Sequence, residues 1–199
     1  MKQADNQNNQ TRRHWLLAGV GVAAGLAGAT FAWRKFQPQG VMDEAVQNFW
    51  QQEFEKPEGG TLSFQSFRGK PLLVNFWATW CGPCIASFPG MQKALDKYKN
   101  DPNVAFLFVD TWENQETMEK RTKEVSDFIS KNKYSFNVLY DEKDSSEAYK
   151  VVTAYKVDGI PTKFIIGKDG KIKFKSVGGD SNADKLVAEL SAMIEMAGN

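Results

Sequence analysis

Leu72 to Trp77 (LLVNFW) is a nearly continuous apolar run, the pattern of a central strand buried on both faces. Val104 to Val109 (VAFLFV) repeats it, and Phe136 to Tyr140 reads as a third buried strand. Between these runs the period lengthens. The spacing predicts a helix from Cys81 to about Tyr98, broken or kinked at Pro89-Gly90. A second helix is expected from about Gln115 to Asn132, where Met118, Thr122, Val125 and Ile129 recur on a charged background that reads as a solvated face. Asp144-Ser-Ser-Glu147 has the form of a capping box opening a helix to about Tyr155. Thr162 to Ile166 and Lys171 to Ser176 flank Lys168-Asp169-Gly170, a hairpin signature. Asp180 or Ser181 is expected to cap a last helix with Leu186, Leu190, Met193 and Ile194 on its apolar side. Upstream, Leu62, Phe64 and Phe67 belong to a short hairpin turning at Arg68-Gly69-Lys70-Pro71. Helices between the early strands imply a parallel centre, and the closing hairpin adds an antiparallel edge. The expected class is α/β with a mixed central sheet and flanking helices.

The first 35 residues depart from this pattern. Residues 1–13 are polar and low in complexity, and read as disordered. Residues 14–35 hold an uncharged run from Trp15 to Trp33, bracketed by Arg12-Arg13 and Arg34-Lys35. As a helix it would be about 28 Å long, close to the hydrocarbon thickness of a bilayer. A retained transmembrane anchor with its N-terminus in the cytoplasm is the first reading. A signal peptide cleaved near Ala27-Gly28-Ala29 and a buried soluble helix are the others, and Arg12-Arg13 also resembles a twin-arginine signal. Residues 36–43 read as a linker, followed by an amphipathic piece and a turn, and residues 44–199 as the folded domain.

Composition narrows the function. Apolar residues make up 42% of the chain, enough for a packed core. Lys+Arg 25 against Asp+Glu 24 leaves a net charge of +1, so no basic field invites nucleic acid. The single histidine, His14, lies outside the folded part, which disfavours histidine bases and histidine-rich metal sites.

The chain has 2 cysteines, Cys81 and Cys84, in TWCGPC. A zinc site needs more ligands than these supply. A purely structural staple closing so short a loop stabilises little. A redox pair uses every neighbour. Cys81 falls at a helix N-terminus, where unpaired N–H groups and the helix dipole favour a thiolate. Pro83 suits the first turn. Cys84, three positions on, shares the face of Cys81 within reach of a disulfide. The expected arrangement is an exposed, activated Cys81 above a waiting Cys84. Cys81 attacks a substrate disulfide, and Cys84 resolves the mixed disulfide. The exchange needs no cofactor and no metal.

KPLLVNFWATWCGPCIASFPGMQKAL, followed by Gly159-Ile160-Pro161-Thr162, resembles the thioredoxin fold, and more narrowly the membrane-anchored TlpA/ResA-like thiol–disulfide oxidoreductases of bacteria. The resemblance covers about residue 44 to the C-terminus. It implies that Pro161 is cis and faces the Cys81–Cys84 pair, and that substrate contacts come from Trp80, Gly82, Pro83, Ile160 and Pro161. Local sequence alone would leave the peptide before Pro161 trans. Two departures stand out. Thioredoxins carry a buried aspartate where this chain has Asn75, although asparagine is usual in the TlpA-like branch, and reducing members often place an acid at the position of Ser87. Asp110 and Glu113, at the C-terminal edge of a predicted strand, are candidate proton-handling substitutes; their other reading is as acids of a surface loop. Trp77 reads as core, while Trp80 and Trp112 are placed around the sulfurs. Thr79 resembles the threonine before a peroxidatic cysteine, but stands one residue too close to Cys81.

The resemblance implies an inner-membrane enzyme with its catalytic domain in the periplasm, reducing disulfides of protein partners and drawing electrons from a membrane donor. Cytochrome c maturation is one such setting, and the enzyme is expected to be a monomer. Two other readings are a redoxin-type thiol peroxidase and a non-catalytic copper- or partner-binding module.

Overall fold

The structure is a computed structural model and describes residues 50, 53–55 and 61–199. All of them belong to the second of two units, Pro38–Asn199. The expected segment from Trp15 to Trp33 lies outside the described residues. No helix among those described is long and apolar enough to cross a membrane.

The sheet is built around β3 (Leu72–Trp77), every residue of which is buried. β4 (Ala105–Asp110) and β5 (Val138–Tyr140) extend it in parallel on one side. β6 (Thr162–Ile166) and β7 (Ile172–Val177) extend it antiparallel on the other, giving the order β5-β4-β3-β6-β7. α1 (Gly82–Tyr98), α2 (Met118–Lys131), the short α3 (Lys150–Ala154) and α4 (Ala183–Ala197) lie between and after the strands.

Side-chain alternation splits the core into two layers. Phe76 packs on Tyr155 and Phe164 at 5.5 and 5.9 Å, in a cluster with Val74, Leu107 and Val151. On the other face Trp77 meets Phe88 of α1 and Phe128 of α2 at 5.1 and 5.7 Å. Phe136 stacks on Phe108 there at 3.8 Å. Trp50 closes the first layer at the hairpin end, its Nε1 donating to the Gly170 carbonyl at 3.2 Å. Gly170 turns the β6–β7 hairpin at φ +75°, a conformation that a side chain would disfavour.

Four expectations need correction. The strand holding Leu62 (β2, Thr61–Ser63) does not turn at Arg68–Pro71 but pairs back on β1 (Glu53–Glu55). Phe64–Phe67 is instead a 3₁₀ turn that buries both phenylalanines. α1 runs unbroken through Pro89. Asp144 opens no helix: its carboxylate accepts from the Ser146 and Ala148 N–H groups and the Ser146 hydroxyl, while Glu147 turns left-handed at φ 64°. The helix starts only after Tyr149. The cap of α4 is Asn182, whose Oδ1 accepts from Lys185 N at 3.0 Å, while Asp180 receives the N–H of Asn182.

Candidate active site

β3 delivers the chain directly into the site. Cys81 is the N-cap of α1, and its Sγ accepts from Cys84 N at 3.2 Å. The two sulfurs are joined as a disulfide. Cys81 is only 3% exposed and Cys84 0%, so the first sulfur is less open than expected. Access comes instead from the rim. Gly82 and Pro83 are exposed, and Trp80 is 52% exposed. Trp80 Nε1 donates to the Trp112 carbonyl at 2.8 Å. Trp112 is itself half-buried, with φ 54°.

The opposite rim comes from the loop that leads from α3 into β6. The Ile160–Pro161 peptide is cis, the isomer the resemblance implies. Gly178 N donates to the Pro161 carbonyl at 2.8 Å. Gly179 sits hard against the helix: a Cβ there would stand 2.3 Å from the Pro83 oxygen and 3.6 Å from the Pro161 ring. Pro83, Pro161 and Gly179 therefore form one continuous edge. Ile160 is half-buried beside it.

A charged cluster adjoins the segment that leads into Cys81. Asp110 and Glu113 are not acids of a surface loop, being 0% and 8% exposed. Glu113 accepts from Thr79 N at 2.5 Å and from Thr79 Oγ1 at 2.8 Å. The carboxylate thus clamps the segment just before Cys81. Asp110 pairs with Arg121 Nε at 2.6 Å, and Arg121 Nη1 donates to the Asp141 carbonyl at 2.6 Å. Desolvation nevertheless pushes the Asp110 carboxyl well above the usual range, against the pull of Arg121, and the neighbouring Glu113 adds to the rise. Asp141 accepts from Val151 N, Val152 N and Thr111 Oγ1, yet burial lifts it to about 6. Glu113 also lines an open cleft of about 360 Å³ with Met118, Arg121 and Tyr149, which gives the buried cluster a face toward water.

Ser87 is buried and donates to the Cys84 carbonyl at 2.7 Å, within the helix. The structure thus gathers Trp80, Cys81, Gly82, Pro83, Cys84, Ile160 and Pro161 at one end of the sheet; Glu113 reaches this group through Thr79, and Asp110 stands opposite Trp77 in the sheet. Sequence reasoning missed Arg121, hidden in a helix whose other charges face water, and Gly179. The Gly178-Gly179 doublet after the closing hairpin was the available signal for the latter.

The AhpC/TSA family model matches residues 42–175. The chain belongs to the AhpC/TSA family. It is 30% identical over 169 residues to the thioredoxin-like protein YneN of Bacillus subtilis, covering 83% of this chain and 91% of that one. It is 31% identical over 121 residues to the thiol-disulfide oxidoreductase ResA of Bacillus cereus, covering 61% of this chain. That match spans 62% of the ResA relative's own length. Among solved structures, StoA from Bacillus subtilis superposes at a TM-score of 0.54 with 25% identity, over 70% of this chain and 95% of its own. A putative thiol:disulfide interchange protein DsbE from Chlorobium tepidum does so at 0.58 with 23% identity, over 79% and 98%. The thioredoxin-like α/β fold follows, and the relatives support the TlpA/ResA-like branch within this AhpC/TSA chain.

Proposed function

We propose that this AhpC/TSA chain is a thiol–disulfide oxidoreductase that reduces disulfides of protein partners outside the cytoplasm, tethered to the membrane by its N-terminal segment. The observation that carries the reading is the Cys81–Cys84 disulfide, with Cys81 as N-cap of α1 and the Pro161–Gly179 edge beside it. Once reduced, Cys81 holds its sulfur over the first N–H groups of a helix, where a thiolate is favoured. A partner chain laid along the Pro161 edge brings its disulfide to that sulfur, with Trp80 and Pro83 supplying apolar contact. Attack forms a mixed disulfide with Cys81. Cys84, one turn away on the same face, displaces the partner and restores the pair. Electrons then return from a dithiol, for which a membrane donor is the counterpart of the tether. The relatives named as thiol-disulfide oxidoreductase and thiol:disulfide interchange protein support this assignment.

The test is insulin-disulfide reduction by the full chain beside its Cys81→Ser and Cys84→Ser variants. Cys81→Ser is expected to be inactive, and Cys84→Ser to trap partner in a mixed disulfide. Equal residual activity in both would overturn the division of labour. Peroxide consumption surviving in Cys84→Ser would favour a thiol peroxidase instead.

A further inference from the structure

Lys163 is the second residue of β6, 3% exposed, in a strand whose other members are all buried. A charged side chain so placed costs free energy that an apolar one of similar length would not. The lysine must therefore do something that a methionine or leucine would leave undone.

Its contact shows what that is. Phe164 packs into the layer of Phe76 and Tyr155, so Lys163 emerges on the opposite face of the sheet. Lys163 lies opposite Ser176 of β7, yet its Nζ donates at 2.7 Å to the carbonyl of Gly178, just past the end of that strand. The side chain thus runs back along the sheet toward Pro161 and the disulfide. The Gly178 N–H is given to the Pro161 carbonyl at 2.8 Å. Both main-chain polar groups of Gly178 are held from the β6 side.

Gly178 and Gly179 cannot stiffen themselves. Gly178 lies at φ +95°, where a side chain is disfavoured, and a Cβ on Gly179 would stand 2.3 Å from the Pro83 oxygen. Both are exposed. Two glycines in a row have the most backbone freedom to lose on ordering. Neither can be exchanged for a stiffer residue, so order has to be imposed through the two bonds on Gly178.

We infer that Lys163 is a positioning residue for the partner-binding edge, its ammonium pinning Gly178-Gly179 against Pro161 and the start of α1. The inference rests on the oxidoreductase reading above. Lys163 acts through Gly178 rather than on either sulfur. An edge ordered in advance lowers what must be ordered when a partner binds. A polypeptide lies on that edge before and during the exchange alike, so loosening it weakens both states equally and is read in KM. A small disulfide that meets only Cys81 does not use the edge.

The experiment follows steady-state reduction of insulin and of bis(2-hydroxyethyl) disulfide by the full chain and its Lys163→Met and Lys173→Met variants, with dithiothreitol as electron source. Lys173, bound to Asp169 at the hairpin turn, controls for the loss of a positive charge. Lys163→Met is expected to raise the insulin KM about fivefold with kcat within about twofold, and to leave kcat/KM for the small disulfide within about twofold. Lys173→Met should move neither. Amide exchange gives a second readout: the Gly178 N–H should exchange at least about tenfold faster in Lys163→Met, while the β3 amides keep their protection. Exchange is read without turnover, so its result is separate from that of the function test. An insulin KM within about twofold of the parent, or one raised equally by both variants, overturns the inference. So does a fall in kcat/KM shared by both disulfides, which would mark a damaged centre rather than a loosened edge. Should Lys163→Met not fold, Lys163→Leu is carried through the same measurements. In the parent itself, a Gly178 amide that exchanges as fast as an unstructured glycine overturns the inference whatever the variants do.

Discussion

At the scale of single residues, the segment before the disulfide is held by one carboxylate. Glu113 takes both the N–H and the hydroxyl of Thr79, and the adjoining Trp80 is tied to the carbonyl of Trp112. Removing the carboxylate orphans a partly buried N–H, a loss of about 1–3 kcal/mol. Glu113→Ala is therefore expected to lower the denaturant midpoint by that order and to slow disulfide exchange. Glu113→Gln keeps an acceptor for the N–H and offers a donor to the hydroxyl, so it should retain most of the stability. It also removes a charge that pushes Asp110 up, and Asp110 should then ionise at lower pH. A glutamine variant as unstable as the alanine one would show that the charge, not the bonding geometry, holds the segment. Cys81, Cys84 and Pro161 were legible because each carries its meaning in local sequence or in a family motif. The Thr79–Glu113 clamp was not, since its partners are 34 positions apart and meet only through the pairing of β3 with β4.

Among the elements, strands buried on both faces and the longer helices were readable from periodicity alone. The short pieces were not. Asp144 satisfied its side chain within a local turn, and Glu147 went left-handed, so the capping-box pattern spent itself before any helix began. Phe64 and Phe67 both point inward because a 3₁₀ turn, not alternation, brings them together. The contact between α1 and α4 depends on Gly90, where a Cβ would stand 2.9 Å from Leu186 Cδ2 and 3.1 Å from the Ala183 backbone. Alanine in an open helix gains roughly 0.5–1 kcal/mol over glycine. Overpacking against a backbone costs about 1–3 kcal/mol and should win here. Gly90→Ala is expected to lower the urea midpoint; a higher midpoint would mean that α4 yields freely.

For the whole molecule, the buried acids set the pH dependence of stability. Asp141, 0% exposed, has its carboxyl raised to about 6, chiefly by desolvation. A carboxyl that ionises later in the native than in the unfolded chain binds extra protons between about pH 4 and 6. The native state therefore loses ground as pH rises through that window. Asp110 acts in the same direction. The lowered carboxyls of Asp144 and Asp169 act the other way, but only at more acidic pH. Urea unfolding at pH 5 should accordingly show a higher midpoint than at pH 7, by a free energy on the order of 1–2 kcal/mol. Equal midpoints would mean that both acids ionise in place as readily as in the unfolded chain.

The indole of Trp80 stands half in water while its only donor is already given to the Trp112 carbonyl. A visiting polypeptide can meet that ring only through carbon, by stacking or by edge contact. Such a greeting makes no demand on the visitor's polar groups, so many sequences around a scissile sulfur pair would suit it. Choice among them then falls to proximity rather than to reading.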